Sequence, residues 1–231
     1  MMTSSLHPPG DALQTVLLDI DGTLIDSNDA HTRAWVAALA EHGYVVAFEK
    51  VRALIGMGGD KLLPILTGLH SESGEATRIA ESRATLFGRE LPTLRPTNGA
   101  RDLLVMLRNE GLKLVIATSA DPDEVTALLE QAGVADLIET GASSGDATRS
   151  KPDADIIHAA LRKAGDFPWQ GVMIGDTPYD IEAASRARMP AIALRCGGWW
   201  SDEALSGAIA IYDDPADLCR QFTTSPIGVR A

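Results

Sequence analysis

Four short, continuous apolar runs constrain this chain more than any other feature. TVLLDI (15–20), KLVIAT (113–118), GVMIG (171–175) and AIALR (191–195) are too short for buried helices and do not alternate as half-exposed strands do. They read as strands buried on both faces. A weaker run, DLIET (136–140), has the same look. Between them lie ARDLLVMLRNEG (100–111), DEVTALLEQAG (123–133), DADIIHAALRKAG (153–165) and YDIEAASRA (179–187). Each repeats apolar positions at helical spacing, and the first three end in Gly, a common helix stop. Strand and helix in short alternating units predict an α/β fold, a doubly wound parallel sheet with helices on both faces.

One region breaks the rhythm. Residues 28–94 carry no buried strand, only helical pieces such as NDAHTRAWVAALAEHG, DKLLPILTG and EATRIAESRATLFGRELP. The stretch is too long for an ordinary connection and reads as an inserted α-helical subdomain. The core would then be residues 13–27 with 95–231, after a loose tail over 1–12. The two crossings, IDSN and LPTLRPTNG, could act as a hinge.

A length of 231 residues, 45% of them hydrophobic and 23% charged, suits a packed domain with a small companion. The formal net charge of −12, with no dense Lys/Arg patch, argues against a nucleic-acid partner. No apolar run is long enough to span a bilayer, and the N-terminus lacks the basic-then-apolar pattern of a secretory leader. Cys196 and Cys219 form no metal or redox spacing, so a reducing, cytoplasmic setting is expected. With no heptad seam, a monomer is expected.

The chemistry concentrates where the strands end, the rim at which open parallel sheets bind ligands. DIDGTLIDSND places four carboxylates (Asp19, Asp21, Asp26, Asp29) in eleven positions after the first run. Thr118 and Ser119 follow the second run, Lys151 opens SKPDAD, and Asp176 and Asp180 follow VMIG. Acids crowded at the mouth of a core either form a solvated loop with no further duty or have something positive beside them. Magnesium takes oxygen ligands, here the Asp19 and Asp176 carboxylates and the Asp21 backbone carbonyl. The residue types together support phosphoryl transfer. Asp19 would attack phosphorus to form an aspartyl-phosphate, and Asp21 would serve as general acid and then base. Lys151 and Thr118 would hold the phosphoryl oxygens, while Asp180 would play a supporting part. Gly22 permits a tight turn, and the backbone N–H groups of Gly22 and Thr23 could face the phosphate.

These segments resemble the four motifs of the haloacid dehalogenase superfamily: DIDGT (19–23), Thr118–Ser119, SKP (150–152) and GDTPYD (175–180). The resemblance runs from about Thr15 to Leu218 and implies a Rossmann-like core with a helical cap inserted after the first motif. It implies magnesium dependence, an aspartyl-phosphate and a small phosphorylated metabolite as substrate, as in the phosphoglycolate phosphatase and β-phosphoglucomutase group. His31 and Trp35 are similar to the HxxAW segment that opens such caps, and VRALIGMGGDKLL (51–63) to the cap loop that reaches the substrate. The resemblance thereby adds His31, Gly56 and Ser119 to the expected substrate contacts.

Two other functions fit some of these residues. A β-phosphoglucomutase-like phosphomutase shares the intermediate, but that group carries an Arg shortly after the cap-loop glycine, where this chain has Met57, Gly58 and Gly59. A non-catalytic phosphoacceptor signalling domain also combines acids, a Thr/Ser and a Lys. It lacks the Asp-x-Asp spacing and needs no helical insert. Taken singly, Thr118 reads as a strand-end cap, Lys151 as a solvated lysine, and Asp176 and Asp180 as helix N-terminal acids. His31 alone reads as a helix-face residue. Only the ordered set makes the sharper case. Lys50 and Lys61 are Schiff-base candidates by residue type only.

Overall fold

The computed structural model describes residues 13–229, and the tail expected over 1–12 lies outside the described residues. Six parallel strands form one sheet: β1 (Thr15–Leu18), β2 (Lys113–Ala117), β3 (Thr140–Ala142), β4 (Gly171–Gly175), β5 (Ala191–Leu194) and β6 (Ala210–Tyr212). Their spatial order is β3-β2-β1-β4-β5-β6. In register, Leu18 lies between Ile116 of β2 and Ile174 of β4. The fold class is the expected one, α/β with a doubly wound parallel sheet. The order reverses between β1 and β4, so a crevice opens at their carboxyl ends.

Side-chain alternation divides the core. Val16, Leu18, Leu114, Ile116, Val172, Ile174, Ile192 and Leu194 pack on one face, while Leu17, Val115, Ala117, Met173, Ala191 and Ala193 pack on the other. This two-sided burial is why these strands read as continuous apolar runs. The third strand lies at 140–142, beyond the expected 136–140, where a short 3₁₀ turn (Ala135–Leu137) intervenes. Gly141 lets this strand lie flush on β2: a Cβ there would sit 2.6 Å from Ile116 Cβ. The three-residue edge strand β6 was too short to be legible.

The first helices are α1 (Asn28–Glu41), α2 (Phe48–Arg52), α3 (Gly59–Thr67) and α4 (Gly74–Glu90). They follow β1 without a strand among them and gather a core of their own around Trp35, Leu39, Val51, Leu62, Leu63 and Ile79. The remaining helices flank the sheet: α5 (Ala100–Asn109), α6 (Pro122–Gln131), α7 (Asp155–Ala164), α8 (Pro178–Arg186) and α9 (Pro215–Arg220). Among the described residues, no helix is long and apolar enough to cross a membrane.

The α1–α4 segment is docked on the carboxyl-end rim of the sheet. Gly58 N donates to Ser150 Oγ at 3.0 Å, Ser150 N donates to Asp60 at 3.2 Å, and Lys61 Nζ donates to Ser150 O at 2.6 Å. Lys61 also pairs with Asp153 at 2.5 Å. Arg52, itself buried, donates to Gly197 O.

Candidate active site

Asp19 follows β1 directly, Lys151 comes from the loop between β3 and α7, Asp176 from the β4–α8 turn and Asp180 from the first turn of α8. The switch point brings these distant segments together. Lys151 Nζ donates to Asp19 at 2.5 Å and to Asp180 at 2.6 Å, and all three side chains are almost wholly buried. Asp180 also closes a capping box with Thr177, accepting from its backbone N–H at 3.0 Å and its hydroxyl at 2.7 Å. Asp180 thus orients the lysine that orients Asp19. Asp176 accepts from Thr23 at 3.2 Å and from Asn28 at 2.8 Å.

Carboxylate oxygens of Asp19, Asp176 and Asp180 lie within 4.8 Å of one another. Three buried acids around one ammonium leave an excess of negative charge, and the pKa shifts express it. Burial first, then the charges of Asp180, Asp176 and Asp21, raise Asp19 well above the ordinary value, with Lys151 opposing. Asp176 is pushed up to about 7 by burial and by Asp180, against its bonds from Asn28 and Thr23 and the Arg52 charge. Burial disfavours the Lys151 ammonium, yet the Asp180 and Asp19 charges outweigh it and raise its pKa.

The donor set fits a hard divalent cation. The cluster itself offers three carboxylates, and the Asn28 Oδ1 oxygen is buried with no partner beside Asp176. Backbone packing against Asp176 is equally tight. A Cβ on Gly197 would lie 1.8 Å from Asp176 Oδ2, and one on Gly22 would lie 2.3 Å from it. Gly22 also adopts φ +76°, so glycine is required there twice over.

Asp21 points elsewhere. Its carboxylate accepts from Ser27 at 2.5 Å and from His31 Nε2 at 2.7 Å. Arg83, which can only donate, lies 2.7 Å from His31 Nδ1. Nδ1 therefore accepts from Arg83, which leaves an Nε2 hydrogen to be donated to Asp21. Behind it, Arg83 pairs with Glu124 at 2.5 Å, and His31 stacks on Phe87. Burial works against the Asp21 carboxylate, but His31, Ser27 and the Arg83 charge together hold its pKa below the ordinary value.

The other expected residues divide. Thr118, Ser119, Gly56 and His31 line a small cavity of about 40 Å³ with Asp19 and Asp21. The Thr118 hydroxyl also accepts from Ala120 N at 3.0 Å. The N–H groups of Gly22 and Thr23 are engaged within their own turn, donating to Ile25 O at 2.8 Å and Ile20 O at 3.2 Å. Both N–H groups, expected to face a phosphate, are spent here on closing the turn. The Thr23 hydroxyl is turned to Asp176. The acid cluster adds Asp180 to Asp19 and Asp176, and Asp21, expected to offer only its backbone carbonyl, gives it no carboxylate oxygen. Lys50 lies on α2 away from the site, and Lys61 is engaged with Ser150 and Asp153.

Sequence reasoning missed Asn28, Arg52, Arg83, Glu124 and Gly197. Arg83 had a signal: it interrupts the apolar stripe of α4 formed by Ala76, Ile79 and Phe87.

Residues 16–194 match the family model described as haloacid dehalogenase-like hydrolase. The chain is 28% identical over 214 residues to a phosphoglycolate phosphatase of Rhodospirillum rubrum, covering 89% of each. It is also 28% identical over 210 residues to an N-acetylmuramic acid 6-phosphate phosphatase of Pseudomonas aeruginosa, covering 89% of this chain and 93% of the relative. The crystal structure of a hydrolase from Pseudomonas syringae superposes with a TM-score of 0.85 at 30% identity, covering 91% of this chain and 98% of that one. With its motifs gathered at one switch point and its match running through five of the six strands, the chain belongs to the haloacid dehalogenase-like hydrolase family.

Proposed function

We propose that the protein is a magnesium-dependent phosphatase that hydrolyses a small phosphomonoester through an aspartyl-phosphate on Asp19. The observation that carries this reading is the position of Asp19, held by Lys151 and opening on a cavity beside Asp21. Two relatives named as phosphatases support it. Asp19 and Asp176 would hold Mg²⁺ through carboxylate oxygens and Asp21 through its backbone carbonyl. A cation there would offset the negative charge of both nucleophile and phosphate.

The chain's own residues carry the steps. An Asp19 oxygen attacks phosphorus, and the bond from phosphorus to the leaving oxygen breaks. Asp21 gives its proton to the leaving alkoxide. Asp21 then takes a proton from water, whose oxygen attacks phosphorus and frees phosphate and Asp19. Lys151, pinned by Asp180, fixes the Asp19 carboxylate and stays positively charged as charge builds on the phosphoryl oxygens. The Thr118 and Ser119 hydroxyls lie where those oxygens would rest. The His31 and Ser27 bonds favour the base form of Asp21, which takes the proton from water; that proton is the one it gives to the leaving oxygen in the next turnover.

We take α1–α4 as a cap, residues 28–94, inserted between core segments 13–27 and 95–231. Its bonds to Ser150, next to Lys151, support a closed state that excludes water. The free thiols Cys196 and Cys219 are compatible with a cytoplasmic enzyme.

The test is hydrolysis of p-nitrophenyl phosphate with Mg²⁺ and with chelator. Turnover should require the metal and vanish in Asp19→Asn. Metal-independent turnover, or an active Asp19→Asn enzyme, contradicts the reading. Phosphate NMR on a hexose 1-phosphate separates hydrolysis from mutase action, with free phosphate expected as sole product.

A further inference from the structure

The small cavity over Asp19 continues into a larger one of about 350 Å³ between the helical segment and the sheet rim, a volume typical of small-molecule sites. The two share Trp35, Met57, Arg83, Ser119 and Ala120. On the phosphatase reading, the phosphoryl group occupies the first and the leaving group the second. The charges on the walls of the second decide what can sit there.

Its ionisable lining is Asp60, Asp121 and Arg83. The one cation is already matched: Arg83 pairs with Glu124, donates to His31, and has its Nε sealed from solvent. Asp60 accepts from Ser150 N, and Asp121 caps α6 by accepting from Asp123 N at 3.0 Å. Neither acid has a counter-cation among these contacts. A carboxylate placed in this cavity would meet net negative charge with no unpaired cation to receive it. Ser119, Ser144, Thr148 and Ser150 line the same walls with hydroxyls, and Trp35 adds apolar surface. Hydroxyls both donate to and accept from alcohols, and carboxylates accept from them. A two-carbon acid would also leave most of the volume to water.

We propose that the leaving group is an uncharged, polyhydroxylated molecule of monosaccharide size, and that Asp60 and Asp121 select against carboxylic-acid phosphates. This rests on the phosphatase reading above. In the reaction the sugar hydroxyl oxygen leaves phosphorus and takes the Asp21 proton.

The test measures kcat/KM on the Mg²⁺-loaded enzyme for hexose 6-phosphates and pentose 5-phosphates against phosphoglycolate and phospholactate, with p-nitrophenyl phosphate as the common reference. At least one sugar phosphate should exceed both acid phosphates by about tenfold or more. In Asp121→Asn, where Asn still caps the helix, the ratio of kcat/KM for phosphoglycolate to that for p-nitrophenyl phosphate should rise about threefold. Acid phosphates equal to or better than every sugar phosphate overturn the proposal, as does an unchanged ratio of phosphoglycolate to p-nitrophenyl phosphate in Asp121→Asn. Failure of p-nitrophenyl phosphate itself to turn over with Mg²⁺ would instead strike the phosphatase reading.

Discussion

Replacing Gly197 with alanine isolates the acid cluster with a single methyl group. The backbone there is not in the left-handed region, so alanine meets no conformational penalty. The added Cβ would stand 1.8 Å from Asp176 Oδ2, where ordinary contact begins at 3.4 Å. Either the carboxylate or the 195–198 turn must give by about 1.6 Å. If the carboxylate moves, it leaves the bonds from Asn28 and Thr23 and its place near Asp19. If the turn moves, it takes Gly197 O away from Arg52 and loosens the helical segment. Shifts of this size cost about a hundredfold in rate when they misplace reacting groups, and disturbed ligand support costs about 10- to 100-fold in metal affinity. Isothermal titration with Mg²⁺ and kcat on p-nitrophenyl phosphate should both register the loss. Gly88→Ala is the internal control. It lies inside α4 with nothing within 4 Å of the new Cβ, and should gain about 0.5–1 kcal/mol of stability with activity unchanged. Wild-type metal affinity and rate in Gly197→Ala would refute the claim that Asp176 must stay where this structure puts it.

Two further outcomes follow from the site's electrostatics. The raised pKa of Asp176, about 7, and of Asp19 means that protons compete with the cation. In the metal-free protein these groups add stability at low pH that is lost as pH rises through the folded-state values. The rise in Tm on adding Mg²⁺ should therefore be small at pH 5.5 and grow toward pH 8, and a flat or falling increment contradicts the charge account. In His31→Gln, Asp21 loses the Nε2 donor and its link to the Arg83 charge, so its lowered pKa should rise. The acidic limb of the kcat–pH profile should move to higher pH, whereas an unmoved limb would deny Asp21 the role of base.

What was legible in the sequence, and what was not, follows from how far each signal reaches along the chain. The buried strands announce themselves because a strand covered on both faces is apolar at every position, as in Leu17 and Leu18 or Met173 and Ile174. Asp19, Thr118, Lys151 and Asp176 stand at the ends of those strands or in motifs close by, so local pattern found them. Asn28, Arg83, Glu124 and Gly197 act through partners 41 to 169 residues away; the break in the α4 stripe marks Arg83 itself, but nothing local marks the pairings. The direction of a side chain is equally invisible in one dimension. The spacing of Asp21 from Asp19 could not show where its carboxylate turns, and Ser27 and His31 draw it toward α1. Asp180 looks like a helix-start acid, and it is one, but its other oxygen holds Lys151.

The claim that bears the whole account is that Asp19 takes the phosphoryl group. Turnover quenched with borohydride reduces an acyl phosphate in place, converting that aspartate to homoserine, and tandem mass spectrometry of the peptides locates it. Homoserine at position 19 alone, formed only with substrate and Mg²⁺ present, is the result expected. Homoserine at another aspartate, or none in an enzyme that is turning over with a slow hydrolysis step, would contradict it.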